Sequence, residues 1–527
     1  MTDADEVSTE RDVRAICELV DSSLGPFGAN KMIVDSSGTV TTTSSGSEIV
    51  ERLDVSNPVV SLLETAVSDF AAEHGDGAAT VVTVFGGLLR EANRLIAEGC
   101  HPTVIERGYR EAMDVVGDHL DRYARPIEEF GTVAVARTAL TGTRDPSTRA
   151  MVAEYIAEAV DELAETDYES VARSVKVTSR IGGAQAETQL VPGVVLDLDP
   201  AVETMPRTVD GAGVAVLTDT VDVPNIGGTN RPGETRVRAD SFETREAVGE
   251  YERTRFAETL DAAVRAGCRV VFTGMAVNER VENLLANRGV LAVPQVDEDD
   301  LGRIARATGA TVVPSLADVS AETLGRGDVN VRRHAGTDMV HVEGEAKPIY
   351  TLFCRAPDPR AADEFEASVE RALYAAATAR DGGTVVPGGG AIEVGAARAV
   401  REHARSVAGR EQLAVEAFAD ALFAVPRALA RNGGMDGWEA IVQLTVAHTE
   451  GRDAYGVDSV LGETRDVLAD DPLVDSTEQT RAAFDAATDL AIRLVRIDDQ
   501  VAASDLSDEE TTDAGVPGAG PGPGGAS

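Results

Sequence analysis

Three glycine-rich turns, each at the border of a helix-patterned segment, are the groups in this 527-residue sequence best suited to chemistry. They are Leu24-Gly25-Pro26-Phe27-Gly28, Gly75-Asp76-Gly77-Ala78-Ala79-Thr80 and Pro387-Gly388-Gly389-Gly390. Glycine lets a backbone come close to a phosphate, and the free N–H groups and dipole of a following helix favour the anion. Asp76, flanked by glycines, is placed to hold Mg²⁺ bridged to phosphates. For any one turn the competing use is a plain helix cap. None matches G-x-x-x-x-G-K-[ST] or G-x-G-x-x-G, so P-loop and Rossmann readings lack support. Seven histidines show no H-E-x-x-H pattern, and Cys17, Cys100, Cys268 and Cys354 lie far apart with no C-x-x-C spacing. Four reduced thiols serving as small hydrophobes fit better than a zinc site or a disulfide framework.

The elements that must position these turns follow from periodicity. Residues 12–24 read as a helix with Val13, Ile16, Cys17 and Val20 on one stripe, ended by Gly25-Pro26. MIVDSSGTVTTT reads as two short strands, and helical spacing returns over residues 58–72, 80–98 and 101–123. Between about residues 190 and 342, β-rich runs alternate with helices, which implies βαβ units and a parallel or mixed sheet. After about residue 345 the pattern is helical again, and from about Ser504 an acidic, then Gly/Pro-rich tail is expected to be disordered. A helical body interrupted by an inserted α/β domain fits this order, and so do two separate helical domains.

The length predicts three or four domains, and 43% hydrophobic with 26% charged residues is a globular composition. The formal net charge of −42 excludes nucleic acid and anionic membrane as main partners, since both are polyanions. Only Lys31, Lys176 and Lys347 are lysines. Acid-rich and lysine-poor together suggest a high-salt cytoplasm, where screening quenches self-repulsion. The sequence shows neither a basic-then-apolar leader nor a run of about 18 apolar residues, so a cytoplasmic protein is expected.

Taken together, LGPFGANKM, TTTSSGSEI, HGDGAAT, EGCHPTVIERGYREA, VVPGGGAIE, AHTEGRDAYGVD and VRIDDQV resemble, in order and spacing, the group II chaperonins: archaeal thermosome subunits and their eukaryotic relatives. In the middle, LVPGVVLDLDP, ETMPRTV and ATGATVVPS look like that family's apical domain, so the resemblance covers about residues 11–502. It implies a multidomain α and α/β fold. A mostly helical equatorial domain would come from residues 1–131 and 381–503, and a small α/β intermediate domain from 132–191 and 346–380. An α/β apical domain with a helical lid protrusion would occupy 192–345, leaving 504–527 as a tail. It further implies ATP and Mg²⁺, two stacked eight-membered rings shared with other chaperonin subunits, and a lid closing over unfolded polypeptide. Carried over by position, the nucleotide contacts would be Leu24, Gly25, Pro26, Gly46, Asp76, Gly77, Thr80, Gly389, Gly390 and Asp471, with Asp76 also holding the metal. Asp471-Pro472 matches the acid-Pro pair near the ribose, and Arg144 lies near a nucleotide-sensing lysine. An exposed Asp-Pro at a helix start is the bland alternative for the former.

Departures from the family pattern fall on the hydrolytic groups. T-N-D-G is here Thr43-Ser44-Ser45-Gly46, and Ala78 and Ala79 replace two threonines after Asp76. E-R-S-h-x-D-A (h apolar), whose Asp orients or deprotonates the attacking water, is here Glu370-Arg371-Ala372-Leu373-Tyr374-Ala375-Ala376. No catalytic carboxylate is therefore intact, Ser45 and Ala375 occupying those positions. General-base assistance supplies ~10²–10⁴-fold in rate, so weak hydrolysis is expected, in a mixed ring beside competent subunits. The alternative is a non-hydrolysing structural or regulatory subunit. A small-molecule enzyme built on the α/β segment has no catalytic dyad or cofactor motif behind it. For client binding the candidates are Phe242, Val248 and Tyr251, apolar positions on the charged segment 241–256. The competing reading makes them the buried stripe of an amphipathic helix, and it is favoured for Tyr251 and Phe256. The Gly-rich tail resembles ends that project into the ring cavity; a solubilising terminus is the alternative.

Overall fold

The computed structural model describes residues 3–34, 38–53, 57–142, 145–163, 168–222, 242–334 and 337–497. Helix Ala78–Ala97 opens directly after Gly77, and its first half is apolar nearly all round: Val81, Val82, Val84, Phe85 and Leu88 are all buried. Such a helix belongs at the centre of a bundle. Helix Pro102–Tyr123 begins with proline in its first turn, where the missing N–H costs nothing, and the His101 ring accepts from the Thr103 N–H at 3.2 Å. Against these two pack Ala391–Ala404, Glu411–Leu422 and Thr477–Val495 from the far end of the chain. A Cβ on Gly108 would sit 2.5 Å from the Ala414 Cβ, so only glycine lets these helices touch there. Tyr109 meets Phe418 edge to face at 5.5 Å while its hydroxyl donates to the Leu88 carbonyl at 2.7 Å. One continuous core thus holds residues from Val13 to Leu120 and from Val386 to Val495. Of the two arrangements the pattern allowed, the helical core is single and fed from both ends.

The alternating middle forms a seven-stranded mixed sheet. Its order is Val194–Leu196, Thr337–Gly344, Gly325–His334, Thr208–Leu217, Cys268–Thr273 and Leu291–Val293, with Val312–Val313 also paired to Thr208–Leu217. Thr208–Leu217, Cys268–Thr273 and Leu291–Val293 run parallel, joined through helices Phe242–Ala266 and Glu279–Asn287. The other long pairings are antiparallel. Phe256, Leu260, Val281, Leu285, Leu301 and Ile304 seal this second core. Phe256 is 2% exposed, as the amphipathic-stripe reading expects, whereas Tyr251 is 55% exposed, contrary to it. The backbone of Phe242 and Val248 lies in the first turns of this helix, but their side chains, like residues 223–241, lie outside the described residues.

A third, smaller sheet links the two bodies. Tyr350–Ala356 pairs parallel with Val175–Ile181 and antiparallel with Gln189–Pro192. Helices Pro146–Asp161 and Pro359–Gly382 cover it, burying Val152, Ile156, Phe365, Val369 and Leu373. Lys176 of this sheet pairs with Asp300 of helix Glu298–Thr308, and Arg303 reaches the same carboxylate at 2.9 Å. All four cysteines are buried: Cys17 and Cys100 in the helical core, Cys268 and Cys354 in the other two. No described helix is long and apolar enough to cross a membrane. The tail from residue 498 onward lies outside the described residues.

Candidate functional site

The three glycine turns converge on one cavity of about 410 Å³. Two of them enter it as helix starts. Gly77 caps Ala78–Ala97 and Gly390 caps Ala391–Ala404, each in left-handed backbone (φ 91° and 78°) and each without a side-chain cap. Any Cβ on Gly390 would also fall 2.5 Å from the Pro426 Cβ, so conformation and space both require glycine. First-turn N–H groups of a helix have no partner within it, so both helices present donors and a positive dipole end to this wall. A small antiparallel sheet holds the third turn in place: Thr384–Pro387 lies between Val474–Ser476 and Arg125–Pro126.

Of the residues carried over from the sequence, Leu24, Gly25, Pro26, Ser45, Gly46, Asp76, Gly77, Thr80, Gly389 and Gly390 line this cavity. Ser45 does so as the cap of helix Gly46–Glu51, its Oγ accepting from the Glu48 N–H at 3.5 Å and lying 3.0 Å from the Ser47 Oγ. Asp471 does not line it. It occupies an exposed left-handed turn (φ 61°), its carboxylate paired with Arg137 and its carbonyl accepting from Arg465 at 2.9 Å. The cavity wall begins two residues later, at Leu473 and Asp475. Ala375 does not line it either. It is 2% exposed and packs into an apolar cluster with Ile127, Val135, Val385 and Val474, while Glu370, Arg371 and Tyr374 of the same helix face the cavity. Arg144 lies outside the described residues.

Several groups at this wall escaped the sequence reading. Asp475, Glu393, Glu370 and Arg371 all line the cavity, beside Asp76. Burial raises the Asp76 carboxyl above its ordinary range, against the pull of Arg371 and of the Gly77 N–H. Asp475 is raised by burial and then by the charge of Asp76. Glu393, 5% exposed, is pushed up to about 8 by burial and then by Asp475, and its Oε2 has no hydrogen-bond partner. Glu370 is raised by burial and then by Glu366. Arg371 donates to the Thr141 Oγ1 at 3.2 Å. By contrast Asp458, also at the wall, is saturated: it accepts from the Val460 and Leu461 N–H groups and from Arg465 at 2.8–3.0 Å. Glu393 was within reach of sequence reasoning, standing three residues past the glycine turn inside VVPGGGAIE. Glu370 and Arg371 open the segment matched to E-R-S-h-x-D-A, and Asp475 comes from a strand with no motif of its own.

Two uncapped helix starts, a set of under-compensated carboxylates and the guanidiniums of Arg149 and Arg371 suit a polyphosphate that arrives with a cation. The donors face the anion, and the carboxylates face the metal.

Known proteins resemble this chain over nearly its whole length. The model of the TCP-1/cpn60 chaperonin family matches residues 16–505. The chain is 37% identical over 502 residues to "Thermosome subunit" of Methanopyrus kandleri, covering 94% of this chain and 91% of that protein. Two relatives come from Haloferax volcanii. "Thermosome subunit 1" is 35% identical (96% of this chain, 90% of that one), and "Thermosome subunit 2" is 34% identical (96% and 92%). On these matches the chain belongs to the TCP-1/cpn60 chaperonin family, as a subunit of its group II branch.

Proposed function

We infer that this subunit binds ATP with Mg²⁺ in the cavity shared by the three glycine turns. Within a cytoplasmic double ring it would couple that binding to closure over an unfolded polypeptide, with weak hydrolysis of its own. The observation that carries the reading is the convergence itself: residues 24–26, 75–80 and 389–390 of the three turns line one cavity. The starts of Ala78–Ala97 and Ala391–Ala404 would donate backbone N–H groups to phosphate oxygens, Asp76 would hold the cation, and Arg371 would add positive charge. Bound Mg²⁺ neutralises phosphate charge and fixes the polyphosphate's orientation. The three hydrophobic cores support an equatorial, intermediate and apical partition at about residues 1–131 with 381–503, 132–191 with 346–380, and 192–345. Client contact would fall at the start of helix Phe242–Ala266, where Tyr251 stands exposed.

Ser45 and Ala375 favour a second reading, a non-hydrolysing subunit of a mixed ring. Ser45 is engaged as a helix cap and Ala375 is sealed in an apolar cluster, so neither position offers a carboxylate to a water. The paired names in Haloferax volcanii, subunits 1 and 2, are consistent with subunits of more than one kind. Calorimetry with ADP and steady-state ATPase in concentrated KCl test both. Expected are binding together with turnover about 10²–10⁴-fold below a family member with its aspartates. Turnover equal to such a member overturns the weak-hydrolysis reading; no binding overturns the nucleotide reading.

A further inference from the structure

Strand Val474–Ser476 is three residues long, and its alternation decides what each side chain meets. Val474 turns into the apolar cluster that holds Ala375. Asp475 turns the other way, to the cavity wall, over the glycine turn: a Cβ on Gly388 would lie 2.9 Å from its Oδ2. Asp76 reaches the same cavity from the turn before Ala78–Ala97, and Glu393 from the first turn of Ala391–Ala404.

Charge does not balance at this spot. Asp76, Asp475, Glu393 and Glu370 all line the cavity, against the two guanidiniums of Arg149 and Arg371. Glu393 holds an oxygen with no partner. Buried carboxylates facing one another need protons or a cation between them. Among the described residues no group of three or more His, Cys, Asp or Glu side chains could hold a metal alone. Mg²⁺ seldom uses such cages; it takes one or two carboxylates and completes its shell with water and phosphate oxygens.

Building on the nucleotide reading, we propose that Asp475 is a second carboxylate ligand, with Asp76, for the divalent cation that enters with the nucleotide. The chain thereby keeps two acidic groups at its phosphate wall although Ser45 and Ala375 supply none. Because the protein gives only two ligands, the cation is held firmly only when phosphate oxygens complete the shell. Glu393, with its unpartnered oxygen, is the acceptor beside it for cation-bound water.

Mn²⁺ affinity, read from the electron paramagnetic resonance of free Mn²⁺, tests this on the full-length protein in concentrated KCl. It is measured with and without ADP, alongside ADP affinity in excess EDTA. The parent protein is expected to bind Mn²⁺ tightly only with ADP. Asp475→Asn should weaken that ternary Mn²⁺ binding by about tenfold or more, well beyond any change in ADP affinity measured in EDTA. Asp475→Val, which suits a buried strand, should do the same, and thermal scans would show that both variants fold. Ternary Mn²⁺ affinity within about twofold of the parent in both variants, with ADP still bound, overturns the proposal and leaves Asp76 and Asp475 sharing a proton instead. If the parent binds ADP under neither condition, the nucleotide reading falls and takes this proposal with it.

Discussion

His119 shows how single residues are tuned by this core. On helix Pro102–Tyr123 it is 9% exposed, with its Nε2 where a Cβ on Gly395 would come within 2.6 Å. Burial, opposed by Asp453 and helped by Arg398, His448 and Arg122, pulls its pKa down from 6.5 to about 4. The folded ring is therefore neutral where the unfolded ring has already taken a proton. Its contribution to stability is complete above about pH 6.5 and is lost as pH falls from there through about 4, at most about 3 kcal/mol. His119→Asn should flatten the drop in thermal midpoint between about pH 7 and about pH 5 relative to the parent, measured without nucleotide. At the same scale, the glycine turns and Asp76 were legible because glycine spacing at helix borders has a local physical meaning. Asp475 was not, and Arg371 was legible only as part of a matched motif, because what places both at the cavity is tertiary: a strand pairing with residues 384–387 and a helix crossing over Gly75. Asp471 stands outside the cavity for the converse reason. A motif match by position says nothing about an Arg137 that captures the carboxylate outside the cavity.

Among elements, the link between the small three-stranded sheet and the large mixed sheet rests on a buried charge. The Asp300 side chain is 3% exposed, and burial holds its carboxyl above the ordinary range even though Lys176 and Arg303 both reach it. Desolvation and attraction thus largely offset each other, as they do for most buried pairs. Breaking the pair is another matter. Lys176→Met leaves Asp300 with Arg303, which also donates to the Ala172 carbonyl at 3.0 Å, and should cost about 3 kcal/mol. Lys176→Met with Asp300→Leu should recover most of that loss, as read by thermal midpoint. Being buried, the pair should keep this behaviour in concentrated salt. Elements with long periodic runs were readable from the sequence: the helices over 78–123 and the alternation after residue 190. Periodicity names the buried face but not its partner, so on pattern alone the sharing of one core by both chain ends was undecidable, and only the family resemblance implied it. The sheet of Val474–Ser476, Thr384–Pro387 and Arg125–Pro126 has strands of two to four residues, too short to show a period at all.

For the whole molecule, the exposed apolar surface is informative. Trp438, Val442 and Val446, spaced by four on helix Gly437–Thr449, are 67%, 62% and 49% exposed, and Met32 and Val34 on the first hairpin are 64% and 60% exposed. Apolar side chains aligned on one helical face mark association surfaces more often than scattered ones do. A 55.2 kDa chain in a ring of the size its family resemblance implies should elute near roughly 900 kDa in concentrated KCl. Elution as a monomer would count heavily against ring formation by this subunit alone, and addition of a second subunit type would then be expected to restore the large species. The shared core also bears on how this subunit comes to be made. The helices over residues 58–123 emerge from the ribosome with Phe85, Leu88 and Tyr109 ready to bury, but their partners begin near Val386. At ~5–20 residues per second, roughly 270 intervening residues take about 15–50 s to synthesise. For that interval the first third of this chaperonin subunit is an incomplete hydrophobic surface, and its core closes only when the last helices arrive.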